Sequence, residues 1–134
     1  MAYWSFTEKI LQGEPIRVFN GGKMKRDFTF IDDAVSAVLS MALAEDNVLE
    51  SKPLHRIYNI GHNQPVALLD FIAEIERSIG VEAKKIMDPM QPGDVTATCA
   101  DISRISAEFD YEPRVDLKDG LVQFVDWFKA YSKR

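Results

Sequence analysis

Residues 16–33 read Ile-Arg-Val-Phe-Asn-Gly-Gly-Lys-Met-Lys-Arg-Asp-Phe-Thr-Phe-Ile-Asp-Asp, and the reading of this stretch decides the rest. Arg17 to Asn20 alternates weakly and predicts a strand. Gly21-Gly22 predicts a turn, because glycine takes the positive φ that tight turns demand. Asp27 to Ile31 is rich in aromatic and β-branched residues and predicts a second strand. Asp32 or Asp33 is then placed to cap a helix, since a carboxylate accepts free first-turn amides. Lys23, Lys25 and Arg26 set positive charge beside the exposed backbone of the turn, which suits a phosphate-bearing ligand.

Outward from that hairpin the elements alternate. Upstream, residues 4–12 predict a short helix with Phe6, Ile10 and Leu11 on one face and Gly13 as its stop. Downstream, Val35, Val38, Leu39 and Ala42 recur at helical spacing and predict an apolar stripe. Residues 45–55 are polar, contain Pro53 and predict a loop. Arg56 to Ile60 predicts a strand ending at Gly61, and His62 to Pro65 a turn. Val66 to Leu68 extends briefly before a helix that runs to Ile79, with Leu69, Ile72, Ile75 and Ile79 as its buried face and Gly80 as its end. Lys84 to Met87 predicts a short strand and Asp88 to Asp94 a proline-restricted loop. Asp101 caps a short helix with Ile102, Ile105 and Phe109 inward. Asp116 caps the last helix, whose stripe is Leu121, Phe124, Val125 and Phe128, flanked by Trp127 and Tyr131. The expected fold is α/β, mixed α and β, with residues 1–134 as a single domain.

Composition narrows the function classes. The 134 residues are 46% hydrophobic and carry a formal net charge of −5. That is enough apolar material for a core, and the acidic balance argues against a nucleic-acid partner. The single cysteine, Cys99, precludes an internal disulfide and fits a reducing, cytoplasmic compartment. No apolar run approaches the roughly 18 residues of a membrane span, and no charged leader precedes an apolar run as in a signal peptide. His55 and His62 lack ligand spacing, so no metal site is expected. Cys99, beside Ala100, reads as a small core residue.

Candidate ligand groups are few. Arg26 could fork onto a diphosphate with two bonds, or pair with a surface aspartate. Asp94, in a Pro-Gly-Asp loop, could accept two ribose hydroxyls, or satisfy its own backbone in an Asx-type turn. His62 and Asn63 follow a strand end, where loops meet ligands. There is no Gly-x-Gly-x-x-Gly or Gly-x-x-Gly-x-x-Gly fingerprint, no Tyr-x-x-x-Lys pair and no visible nucleophile–base pair. No catalytic, cofactor-binding or metal-ligating residue is therefore assigned.

The stretches "ILQGEPIRVFNGGKMKRDFTFIDDAVSAV", "IYNIGHNQPVALLDFIAEIE", "PMQPGDVTATCADISRI" and "GLVQFVDWFKAY" resemble, in order and spacing, one known family. It is the C-terminal substrate-binding part of the extended short-chain dehydrogenases, the NAD-dependent epimerase/dehydratase family of nucleotide sugars. The runs "GKMKRDFTFIDD" and "QPGDV…T.AD" look most similar to the UDP-glucuronate/UDP-galacturonate 4-epimerase branch. The resemblance implies a UDP-sugar ligand and roles for single residues. Arg26 would bind the diphosphate and Asp94 the ribose hydroxyls. Arg17, Val18 and Phe19 would lie along the nucleobase, largely through backbone. Leu68 would line the nucleotide pocket, Asn63 would approach a phosphate, and Gln91 stands where many relatives have a second diphosphate arginine. Asp110 stands where relatives often have glycine, so that helix end needs another cap. Full-length relatives bind NAD in a Rossmann domain and invert C4 of the sugar through a 4-keto intermediate. The chain is therefore expected to hold the nucleotide sugar, to need no cofactor of its own and to be inactive alone. The other readings are a fragment of a nucleotide-sugar dehydratase or decarboxylase, and a non-catalytic, structural remnant that forms a homodimer through apolar surface a Rossmann domain would cover.

Overall fold

The computed structural model describes residues 1–44 and 55–132. The predicted loop at 45–55 falls almost wholly outside them. The chain opens with α1 (Ala2–Leu11), which buries Thr7 and Ile10 and leaves Leu11 at the surface. Its last carbonyls are closed by the Gln12 and Glu14 amides, and Gly13 takes φ +71° to reverse the chain. β1 (Ile16–Phe19) follows, with Ile16 and Val18 fully buried and Arg17 pointing out. A single 3₁₀ turn over Asn20–Gly22 leads to β2 (Lys25–Arg26). Gly22 sits at φ +78° with its Cα against Leu69, and a Cβ there would lie 2.6 Å from Leu69 Cγ.

The second strand is shorter than its composition predicts and lies earlier. Residues 27–30 are not in a ladder, because Asp27 spends its carboxylate on facing backbone amides and Phe28 turns inward to stack on Phe71, centroids 4.4 Å apart. Helix α2 (Ile31–Ala42) has Phe30 as its N-cap. Asp32 and Asp33 lie inside its first turn, where they favour the dipole without capping. The predicted stripe of α2 faces outward: Val35, Val38 and Leu39 are exposed, while Asp33 and Ala37 are buried. Arg56 to Ile60 is extended, with exposure alternating residue by residue, yet it has no ladder partner among the described residues. Its inward side chains, Tyr58 and Ile60, pack with Ile105 and Tyr111.

β3 (Val66–Ala67) pairs antiparallel with β2 and runs directly into α3 (Leu68–Ile79), which Gly80 ends at φ +83°. α3 buries Leu68, Phe71, Ile72 and Ile75 with Ile79 packed beside them, so Ile72, Ile75 and Ile79 lie inward as their spacing predicts, while Leu69 is exposed. β4 (Lys85–Asp88) lies parallel to β1, with Ile16 opposite Lys85 and Phe19 opposite Asp88. α4 (Ser103–Phe109) has Ile102 at its N-cap, and Asp101 accepts the Ser103 amide from just outside. Asp110 closes α4 at φ +51°, so an aspartate fills the left-handed position often given to glycine. α5 (Leu117–Tyr131) begins at Asp116, whose side chain makes no cap bond, and buries Leu121, Val125 and Phe128.

Two apolar clusters result. The larger joins Ile10, Ile16, Val18, Phe71, Ile72, Ile75 and Leu121, so α1, α3 and α5 pack on β1. The smaller centres on Ala37, Ile105 and Tyr111. α1 and α5 also share an aromatic seam in which Trp4 meets Phe128 edge-on at 4.7 Å and Tyr3 meets Phe124 at 4.9 Å.

Candidate functional site

β2 is the hub of the site. It pairs with β3 on one side and bridges Ala97 in parallel on the other, with Lys25 N–H donating to Thr96 O and Thr98 N–H donating to Lys25 O. Leu68 N–H donates to Met24 O, which locks the start of α3 to the same strand. Three chain segments far apart in sequence are thus held within one ladder width of Arg26.

Arg26 and Asp94 come together. Arg26 Nη2 donates to Asp94 Oδ1 at 2.7 Å and Nη1 donates to Lys25 O at 2.8 Å. Asp94 Oδ1 also accepts the Val95 amide at 2.8 Å. Both pairings that compete with ligand binding are therefore made: the arginine–aspartate bridge and the local Asx contact. The bridge is partly buried, with 25% and 28% of the two side chains exposed. Gln91 lies at the start of the same loop and its carbonyl accepts the Asp94 amide at 3.2 Å. Its side chain is exposed.

Asn63 is drawn to this region by a residue that sequence reasoning missed. Asp27 accepts three amides, from Asn63 at 3.1 Å, Gln64 at 3.3 Å and Ala100 at 2.9 Å. It clamps residues 63–64 and 100 immediately beside Arg26. The available signal was an aspartate in a run that otherwise reads as strand, where aspartate is depleted. Asn63 sits at φ +58°, and its Oδ1 accepts the Cys99 thiol at 3.3 Å. Cys99 is exposed, contrary to its expected place in the core: it lies in the segment that bridges β2 at Ala97, where residues 95–99 are all exposed. Asp33 is a second unforeseen clamp, buried and accepting the amides of Arg114 at 3.0 Å and Val115 at 3.1 Å.

Arg17, Val18 and Phe19 lie on β1, one turn upstream of Arg26. Val18 is wholly buried, backbone included, and pairs with Met87 of β4. Arg17 Nε donates to Asp88 Oδ2 at 2.5 Å, and its guanidinium lies 5.5 Å from the Phe19 ring centroid. That hydrogen bond first, and the Asp88 charge second, raise the Arg17 pKa further above its already high ordinary value. Leu68 is buried within the larger cluster rather than open to a pocket. His62 is buried, with Nε2 3.9 Å from Asp116 Oδ1 and Nδ1 unpartnered among the described residues.

A cavity of about 390 Å³ lies elsewhere, between Tyr3, Phe28, Phe30, Phe71, Leu121 and Phe124. It is apolar and includes neither Arg26 nor Asp94. The left-handed glycines sit at Gly13, Gly21, Gly22, Gly80 and Gly93. Gly21 and Gly22 lead from β1 to β2. No helix among the described residues is long and apolar enough to cross a membrane.

Comparison with known proteins bears on this surface. Residues 3–61 match the profile of the NAD dependent epimerase/dehydratase family. The chain is 38% identical to UDP-glucuronate 4-epimerase 2 of Arabidopsis thaliana, over all of this chain and 33% of that protein. It is 32% identical to a probable UDP-glucuronate 4-epimerase of Rhizobium meliloti, over all of this chain and 43% of that protein. Its fold superposes on the UDP-glucuronic acid 4-epimerase of Bacillus cereus, solved with UDP-glucuronic acid and NAD, with a TM-score of 0.87 and 31% identity. That match covers 98% of this chain and 40% of the solved one. The chain thus spans well under half the length of these relatives.

Proposed function

The chain belongs to the NAD dependent epimerase/dehydratase family, and from that premise we propose that it is the nucleotide-sugar-binding part of a UDP-uronic acid 4-epimerase. The observation that carries the reading is the convergence of Arg26 and Asp94, 68 positions apart in sequence, with their contact at 2.7 Å. In this reading Arg26, with Lys23 and Lys25 nearby, takes the diphosphate. Asp94 accepts the ribose hydroxyls, and the Arg17–Phe19 backbone borders the base. Gln91 and Asn63 line the diphosphate end, and Leu68 supports the pocket from within the core. The residues act as one binding unit and hold the substrate without transforming it. Inversion at C4 needs a hydride acceptor, and none of these residues is assigned to one. A reducing, cytoplasmic setting fits the single free thiol.

Titration calorimetry of this chain with UDP tests the reading. Binding is expected to be weak, in the range of about 0.1–1 mM, because the surface is open and offers few contacts. Arg26→Ala should weaken it about tenfold, the loss of one charge-assisted contact. Equal affinity in the variant would overturn the assignment.

One observation favours a second reading, a self-associating module. The outer face of α2 presents Ile31, Val35, Val38 and Leu39 to solvent. Such a face is suited to a homodimer contact. Sedimentation of the chain and of Val38→Glu separates the cases: a dimer broken by the substitution supports it, and a monomer at high concentration excludes it.

A further inference from the structure

The extended segment at 56–60 has one edge occupied and one edge free. Backbone groups of alternate residues point to opposite edges of such a segment. The odd edge is held within the chain: Arg104 Nη1 donates to Ile57 O at 3.2 Å, and the Tyr111 hydroxyl donates to Gly61 O at 2.9 Å. The even edge, at Arg56, Tyr58 and Ile60, has no backbone partner among the described residues. Nothing that usually blunts an exposed edge guards it. The segment holds no proline, and its one charge, Arg56, is tied to Glu108 at 2.9 Å. Tyr58 and Ile60 pack against the cluster that holds Ala37 of α2, beside Met41. A helix with its side chains is about 10 Å wide and strands lie about 4.8 Å apart, so one helix covers roughly two strands. The described residues offer α2 only this one, and Ile31, Val35, Val38 and Leu39 stay exposed.

We propose that the even edge of residues 56–60 continues into the sheet of a second folded piece, the part of the family fold that this chain does not match. The outer stripe of α2 then packs on the strand so added. The occupant follows from length. This chain aligns over its whole extent, yet it spans 33% and 43% of two relatives and 40% of the solved one. More than half of each relative thus lies outside the match, and it has to pack on surfaces that are open here. A second copy of this chain fits the edge less well. Two identical edges paired antiparallel about a two-fold axis bring two α2 helices to two strands, which have room for one. None of these surfaces involves Arg26 or Asp94, so the docking stands or falls apart from UDP binding.

The test co-expresses this chain with the part of the Bacillus cereus UDP-glucuronic acid 4-epimerase that it does not match. Sedimentation should show a one-to-one complex. In hydrogen exchange, the amides of Arg56, Tyr58 and Ile60 should slow about tenfold or more relative to the chain alone, while those of Ile57 and Asn59 slow less. Alternation is the signature of a ladder on one edge, whereas general burial slows all five alike. Leu39→Glu alters an exposed residue and should leave the melting of the chain alone unchanged, yet weaken the complex about tenfold. Absence of a complex would overturn the docking, and so would a complex in which the five amides slow equally. Unaltered affinity in Leu39→Glu would overturn the part given to α2. Slowing at Arg56, Tyr58 and Ile60 that rises with the concentration of the chain alone would assign the edge to a second copy and overturn the partner.

Discussion

Replacing Asp27 with alanine removes the carboxylate that accepts the amides of Asn63, Gln64 and Ala100 at 3.1, 3.3 and 2.9 Å. A hydrogen bond to a charged group contributes about 1.5–3 kcal/mol when its partner is otherwise stranded. Asn63 and Gln64 are exposed and their amides regain water, while Ala100 is partly buried. The net cost is therefore nearer one full bond plus two small ones, roughly 3 kcal/mol. For a chain of this size that is a fall in melting temperature of about 10 °C. Asp27→Asn keeps one acceptor oxygen and should lose roughly half as much. Calorimetric melting measures the total. Hydrogen exchange measures the location, and the amides of Asn63, Gln64 and Ala100 should exchange faster while those of α5 change only with global stability. An alanine variant that melts within about 2 °C of the unaltered chain, with those amides still protected, would refute the clamp.

Other expectations follow from equally specific contacts. In Gly61→Ala the new Cβ would lie 2.3 Å from Ala100 Cβ and 2.9 Å from Asp27 Oδ2, with no flexible side chain to yield. A loss of about 1–3 kcal/mol in urea denaturation is expected, whereas a melting curve like that of the unaltered chain would show that residues 61 and 100 are not packed together. Tyr111 donates to Gly61 O, and burial first, then the charges of Asp33 and Asp27, raise its pKa above 10.0. The folded chain thus holds the phenolic proton more tightly than the unfolded chain. Its contribution is intact below the ordinary value and is lost as pH rises through the folded value. Stability measured from about pH 8 to pH 11.5 should decline at the alkaline end, and Tyr111→Phe should flatten the decline in part. Tyr58, raised mainly by its hydrogen bond to Glu108, sustains the remainder.

The sequence made much of this legible, and the places where it did not have physical causes. Gly80 and Gly13 marked helix ends correctly, because only a left-handed residue reverses the chain there at no steric cost. The predicted strand at Asp27–Ile31 did not form, because strand propensity describes side chains that fit a pleated surface and says nothing of a facing partner. Here the facing residues 63, 64 and 100 bond to the Asp27 side chain instead of to backbone. The stripe on α2 was real but outward, since periodicity reveals that a face is apolar and not what covers it. A pairing of Arg26 with an aspartate was one of the readings the sequence offered. That the partner is Asp94 was not legible, because it depends on a loop that brings position 94 back to β2 through the Ala97 bridge.

The most direct measurement is an amide NMR titration of this chain with UDP. The account predicts shifts clustered at Arg17–Phe19, Arg26, Asn63 and Gln91–Val95, saturating together at one affinity and diminished in Arg26→Ala. Shifts clustered instead around the apolar cavity of Tyr3, Phe30 and Phe124, or none at millimolar UDP, would contradict it.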